Sequence, residues 1–143
     1  MTSSIDRMAN GYEPRFDIDM EVGRQGEIFI TSVIDAMKAG ASCEVKTDEK
    51  ALQTGNIYVE FECYRLGQWR KSGIATTEAE VWAFVLGVAA LCIPTDTLKV
   101  LARLRWHAGG VRECKRGSHP TKGVIIPIPW LLRQLANQAR EAA

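Results

Sequence analysis

The sequence has no apolar run near the ~20 residues that a membrane helix requires, so no membrane-spanning segment is expected. It also lacks the basic stretch followed by an apolar core that marks a secretory leader, beginning instead Met1-Thr2-Ser3-Ser4-Ile5-Asp6. Its four cysteines, Cys43, Cys63, Cys92 and Cys114, form no C-x-x-C pair and have no histidine at ligand spacing, which argues against a structural zinc site. With no leader, free thiols in a reducing cytoplasm are the expectation. Neither His107 nor His119 has an acid or nucleophile close by in sequence, and Ser72 and the cysteines lack a nucleophile's context, so a serine or cysteine hydrolase is not supported. Gly23-Arg24-Gln25-Gly26 fits neither nucleotide-binding glycine fingerprint.

What is present is a chain of 143 residues, 46% of them apolar, which is long enough to bury a sizeable core in one soluble domain. The net charge of +1 conceals a segregation along the chain. Residues 1–63 hold six basic against twelve acidic side chains, whereas residues 99–122 hold seven basic side chains against Glu113 alone. Such an asymmetry suits a protein that grips a polyanion with one part and holds cations with another. Mutual attraction of the two halves on folding would account for it equally well.

Residues 1–18, polar and broken by Gly11 and Pro14, read as a flexible N-terminal arm, and residues 19–143 as one domain. From Asp19 to Met37, Val22, Phe29, Ile30, Val33, Ile34 and Met37 recur at helical spacing, and Gly40 is a natural stop. Two alternating strands follow at 43–48 and 57–63, with Gly55-Asn56 between them as a turn signal, and a hairpin is the economical pairing. Thr77-Glu78-Ala79-Glu80 has the form of a capping box and predicts a helix carrying Val81, Trp82, Phe84 and Val85 as far as Gly87. Val88–Ile93 predicts a buried strand and Thr95–Trp106 a helix; 108–122 reads as a basic loop. Gly123–Ile128 predicts a second buried strand, and Pro129 opens a last helix to Arg140. The sum is an α/β fold, a mixed β-sheet flanked by helices.

In the expected hairpin, Glu44, Lys46, Asp48, Glu60 and Glu62 share one face. Carboxylates gathered so closely repel unless a cation neutralises them, and hard oxygen ligands suit Mg²⁺ or Mn²⁺. A charged outer sheet face decorated with Glu–Lys pairs is the alternative reading of the same alternation.

A carboxylate on the first helix, Asp48 after the first strand and Glu60-Phe61-Glu62 on the second resemble the PD-(D/E)XK nuclease superfamily. The segments Glu44-Val45-Lys46-Thr47-Asp48, 54–60 and 72–79 look like its small phage-type members, near the Holliday-junction resolvase-like nucleases, over about residues 20–130. The resemblance implies a restriction-endonuclease-like fold and a metal-dependent DNA endonuclease, with Glu27, Asp48 and Glu60 holding Mg²⁺ (or Mn²⁺). Glu62 and Lys46 would assist the attacking water. Asp19 and Glu21 compete with Glu27, which Gly26 favours by letting the helix approach the sheet edge closely. Two departures are present: Thr47, not proline, precedes Asp48, and Glu62 stands where the family carries lysine. The implied substrate is Holliday-junction or other branched DNA, cut by a homodimer whose two-fold axis matches a two-fold substrate. Alternatives are a restriction- or recombination-type nuclease on linear DNA, and a non-catalytic DNA-binding protein on a degenerate nuclease fold.

For the DNA backbone, the candidates are Arg70 and Lys71 after the second strand, beside Arg65, and Arg112, Lys115, Arg116 and Lys122 in the glycine-punctuated basic segment. Trp69 is placed to stack on an exposed base, whereas Trp82, Trp106 and Trp130 sit in apolar patterns and are expected in the core or an interface.

Overall fold

The computed structural model describes residues 38–141 continuously, together with residues 24, 27, 28, 30–32, 34 and 35. The 1–18 arm, Asp19 and Glu21 lie outside the described residues. The chain divides at Gly40/Ala41 into two units. In the first, the described residues from Arg24 to Asp35, and Lys38, are helical. The helix ends as its sequence predicts: the Ala39 N–H donates to Asp35 O at 2.9 Å, and Gly40 takes a φ of 99°, open to glycine without a side-chain clash.

The second unit is α/β. It runs β1 (Cys43–Thr47), a one-turn helix α1 (Ala51–Thr54), β2 (Asn56–Arg65), β3 (Gln68–Lys71), a 3₁₀ turn (Gly73–Ala75), β4 (Val81–Leu86) and β5 (Ala89–Pro94). It continues through α2 (Thr95–His107), β6 (Val111–Cys114), β7 (Thr121–Pro127) and α3 (Ile128–Glu141). The strands make two sheets. One is mixed, in the order β1-β4-β5, with β1 parallel to β4 and β5 antiparallel to it. The other, β3-β2-β7-β6, is antiparallel throughout.

The expected hairpin of 43–48 with 57–63 is therefore corrected: the two strands form but belong to different sheets. The cause lies in the linker. Instead of a tight turn, residues 51–54 wind one helical turn, with the Gly55 N–H donating to Ala51 O at 2.8 Å and Gly55 at a φ of 70°. Gly55 O then accepts from the Ile128 N–H at 2.8 Å, which ties the start of β2 to the β7–α3 junction. The alternation in β2 holds, with Ile57, Val59, Phe61 and Cys63 all buried. In β1 it is inverted: Val45 is 60% exposed, while Glu44 and Lys46 are half-buried.

Within the predicted helix at 78–87, Val81–Leu86 form the strand β4 instead. Val81, Trp82, Ala83 and Phe84 are buried in succession because β4 is the central strand of its sheet and has both faces covered. Thr77 does use its hydroxyl as a cap would, but the acceptor serves a turn: Oγ1 takes the Ala79 N–H at 3.2 Å. Residues 79–81 are held from outside, with the Glu80 and Val81 N–H groups both on Ser42 O and Thr95 Oγ1 donating to Ala79 O at 2.5 Å. β5 is a strand as expected, yet only Ile93 of it is buried, since it lies at the sheet edge.

α2 presents Leu98, Leu101 and Ala102, spaced i, i+3, i+4, to a core shared with Val59, Phe84 and Ile126. α3 begins at Ile128 with Pro129 just inside, and Leu131 anchors it. The β2–β3 connection is a two-residue turn at Leu66 and Gly67, with φ values of 51° and 77°. Positive φ at both central residues defines the hairpin turn that favours Asn-Gly, and a leucine there costs about 1 kcal/mol or more. Leu66 is almost fully exposed and has no packing to lose. Leu66→Asn should accordingly stabilise the protein by about 1 kcal/mol, seen as a raised Tm in thermal melts.

Candidate nucleic-acid interface

Asp48 follows β1 directly, and its carboxylate Oδ1 accepts the Lys50 N–H at 3.1 Å while its carbonyl accepts the Ala51 N–H at 3.2 Å. The aspartate thus shapes the entry into α1. It also forms part of the wall of a cleft of about 500 Å³ between α1, the start of β2, and β6. Across that cleft stand Arg112, Lys115 and Arg116, with Lys50 on the near side and Glu113 as the second carboxylate. Lys50, Arg112, Lys115 and Arg116 are exposed. One Arg112 nitrogen, Nη1, donates to Gly109 O and Val111 O at 3.2 and 2.7 Å, so this guanidinium also pins the turn before β6. Tyr58 lines the floor, with its hydroxyl 3.0 Å from Thr121 Oγ1. Burial pushes its phenol above the ordinary value, and the Thr121 contact acts the other way.

Glu60 and Glu62 lie on β2, on either side of a β-bulge against β7. Glu60 Oε1 accepts from Ser72 Oγ at 2.6 Å. Glu62 pairs with Lys122 at 3.8 Å, and the Lys122 ammonium stands 4.0 Å from the centre of the Trp69 ring. Trp69 in turn meets Tyr64 edge-on at 5.4 Å. Glu62, Lys122, Trp69 and Tyr64 therefore form one continuous run of contacts. Lys46 is engaged elsewhere, with its ammonium 2.6 Å from Glu44 and 5.3 Å from the centre of the Trp82 ring. Glu27 is exposed on the helix of the other unit.

The structure thus joins Asp48 to Arg112, Lys115 and Arg116, and Glu62 to Lys122, but keeps β1 and β2 in separate sheets. Among the described residues, no three His, Cys, Asp or Glu side chains are grouped so as to hold a metal ion. Arg70 is exposed on β3; Lys71, beside it, lines a second cleft with Trp106. Of the tryptophans expected in the core or an interface, Trp82 is buried in the core, whereas Trp106 is half exposed. Position explains the difference: Trp106 is at the end of α2, beyond the Leu98–Ala102 face. All four cysteines are free, and among the described residues no helix is long and apolar enough to cross a membrane.

No protein-family model matches the chain, and neither curated proteins nor solved structures include a match to it.

Proposed function

We propose that this protein binds DNA by its phosphodiester backbone in the Asp48 cleft and hydrolyses it there, as an endonuclease for branched DNA such as a Holliday junction. The observation that carries the reading is the placing of Asp48 in one cleft with Lys50, Arg112, Lys115 and Arg116. Four cations lining one groove attract a backbone phosphate, and Arg forks match its oxygens. A carboxylate beside a phosphate so held would take the proton of an attacking water as its oxygen bonds to phosphorus, while the ester bond from phosphorus to one sugar oxygen breaks and that oxygen leaves with a proton from solvent. Dependence on Mg²⁺ or Mn²⁺, and action as a homodimer, follow from the resemblance to the PD-(D/E)XK superfamily and form part of the proposal. A second reading, a DNA-binding protein without catalysis, is favoured by the engagement of Glu60 with Ser72 and of Glu62 with Lys122.

The test is cleavage of a labelled four-way junction and a matched linear duplex, with Mg²⁺ or with EDTA. Asp48→Asn is the variant of choice because its Oδ1 still accepts the Lys50 N–H. Junction cutting that needs the metal and falls at least about a hundredfold in Asp48→Asn is the expected result. Equal cutting of both substrates removes branched-DNA selectivity. Binding without cutting selects the second reading, and no binding to either substrate overturns both.

A further inference from the structure

A second cleft, of about 310 Å³, lies between the β2–β3 hairpin and α2 and has a different character from the first. Lys71, Lys99 and Arg103 supply its charge, and no carboxylate lines it. Lys99, Arg103 and Trp106 are spaced i, i+4, i+7 along α2 and so lie on one face of that helix. Among the described residues, none of the three cations is in an ion pair. Lys99 also borders a neighbouring groove with Glu78, Glu80 and Asp96, which leaves Lys71 and Arg103 as the cations belonging to this cleft alone.

The aromatic component is as specific as the charge. Trp106 is 50% exposed, and its ring packs against buried Phe61 with centroids 4.5 Å apart and planes inclined at 37°. Phe61 holds the indole in place from one side, so presenting its free surface to a ligand costs little side-chain entropy. A pre-ordered, half-exposed indole flanked by unpaired cations suits a planar base with phosphates on either side. It does not suit an acidic peptide, which would leave the indole without a partner.

We infer that the cleft of Lys71, Arg103 and Trp106 binds single-stranded nucleic acid, with one base stacked on Trp106 and the adjoining phosphates on Lys71 and Arg103. The inference goes beyond the Asp48 cleft and does not rest on it, since the two clefts share no residue.

Fluorescence anisotropy of a labelled short oligothymidylate, with the intact chain, tests the assignment. Trp106→Ala should weaken binding about tenfold, in line with the loss of one stacked base, and Trp106→Tyr should restore most of it. Lys71→Glu/Arg103→Glu should weaken binding at least as much; both side chains are exposed, so this variant reports even where Trp106→Ala unfolds. Lys115→Glu/Arg116→Glu should leave the Trp106 dependence intact, which separates failure here from failure of the first cleft. An abasic strand should bind poorly, because it keeps the phosphates without the bases. Equal binding of the abasic strand overturns the stacking. Displacement of the labelled strand by free dTMP at the strand's own affinity assigns the cleft to a mononucleotide and overturns the strand. Unchanged binding in both cleft variants overturns the site altogether.

Discussion

Lys115→Glu/Arg116→Glu should weaken duplex or junction binding about a hundredfold at low salt and lower the slope of log Kd against log salt by roughly two. Each phosphate contact releases about one counterion, so two lost contacts remove roughly two units of slope, and reversed charge adds repulsion to the loss. Both side chains are exposed and make no hydrogen bond among the described residues, so the fold has little stake in them. Arg112 is left in place because its guanidinium holds the Gly109 and Val111 carbonyls. Arg133→Glu/Arg140→Glu on α3 is the matched control: it changes net charge by the same amount on exposed positions outside the cleft. If binding depended only on total charge, the two double variants would behave alike. A loss confined to the 115/116 pair places the backbone in the Asp48 cleft.

The sequence revealed more of the strands and helices than of their partners. Alternation marked the buried face of β2 because Ile57, Val59, Phe61 and Cys63 all meet the same core. Pro129 and Gly40 marked helix ends because each acts within its own turn. Pairing is a different matter. β1 joins β4 in parallel across more than thirty intervening residues, and such a contact leaves no local signature. Pairing of adjacent strands would gather Glu44, Lys46, Asp48, Glu60 and Glu62 in one cluster, which the two sheets divide. The strand β4 did carry a usable signal. Val81–Leu86 is an unbroken apolar run with β-branched and aromatic residues, followed by Gly87-Val88 and a second apolar run. Gly87 has a φ of 66° and opens the tight β4–β5 turn, so the pattern is that of a hairpin. The capping-box motif at 77–80 competes with this signal because Thr77 makes the same kind of hydrogen bond in a turn as at a helix start. In the candidate interface, Arg112, Lys115 and Arg116 stand out in the sequence as a basic segment, whereas Lys50, next to Asp48 and Glu49, does not. The grouping of Asp48 with Arg112 required β6 to form within what reads as a loop.

Gly73→Ala should destabilise the protein by about 3 kcal/mol or more, an effect large for a single added methyl group. Two costs combine there. Gly73 has a φ of 51°, where an L side chain loses about 1 kcal/mol. A Cβ at this position would also overlap the Glu60 carbonyl oxygen and stand 2.9 Å from the Glu60 carbonyl carbon. Those atoms are backbone within a paired strand, so they cannot swing aside as a side chain would. Gly117→Ala isolates the first cost, since Gly117 has a φ of 94° and open space where the methyl would go. Urea unfolding of the two variants should therefore differ by about 2 kcal/mol or more, with Gly117→Ala losing only about 1 kcal/mol. The consequence reaches the acidic residues of β2. Ser72 precedes Gly73, donates its N–H to Phe61 O at 2.9 Å and its hydroxyl to Glu60 at 2.6 Å. Relieving the overlap means moving the 72–75 turn off β2, and Glu60 then loses its hydroxyl partner. Equal losses in the two variants would mean that the turn does not lie against Glu60. A selective loss in Gly73→Ala shows that the missing side chain at 73 is what allows Ser72 to hold the Glu60 carboxylate.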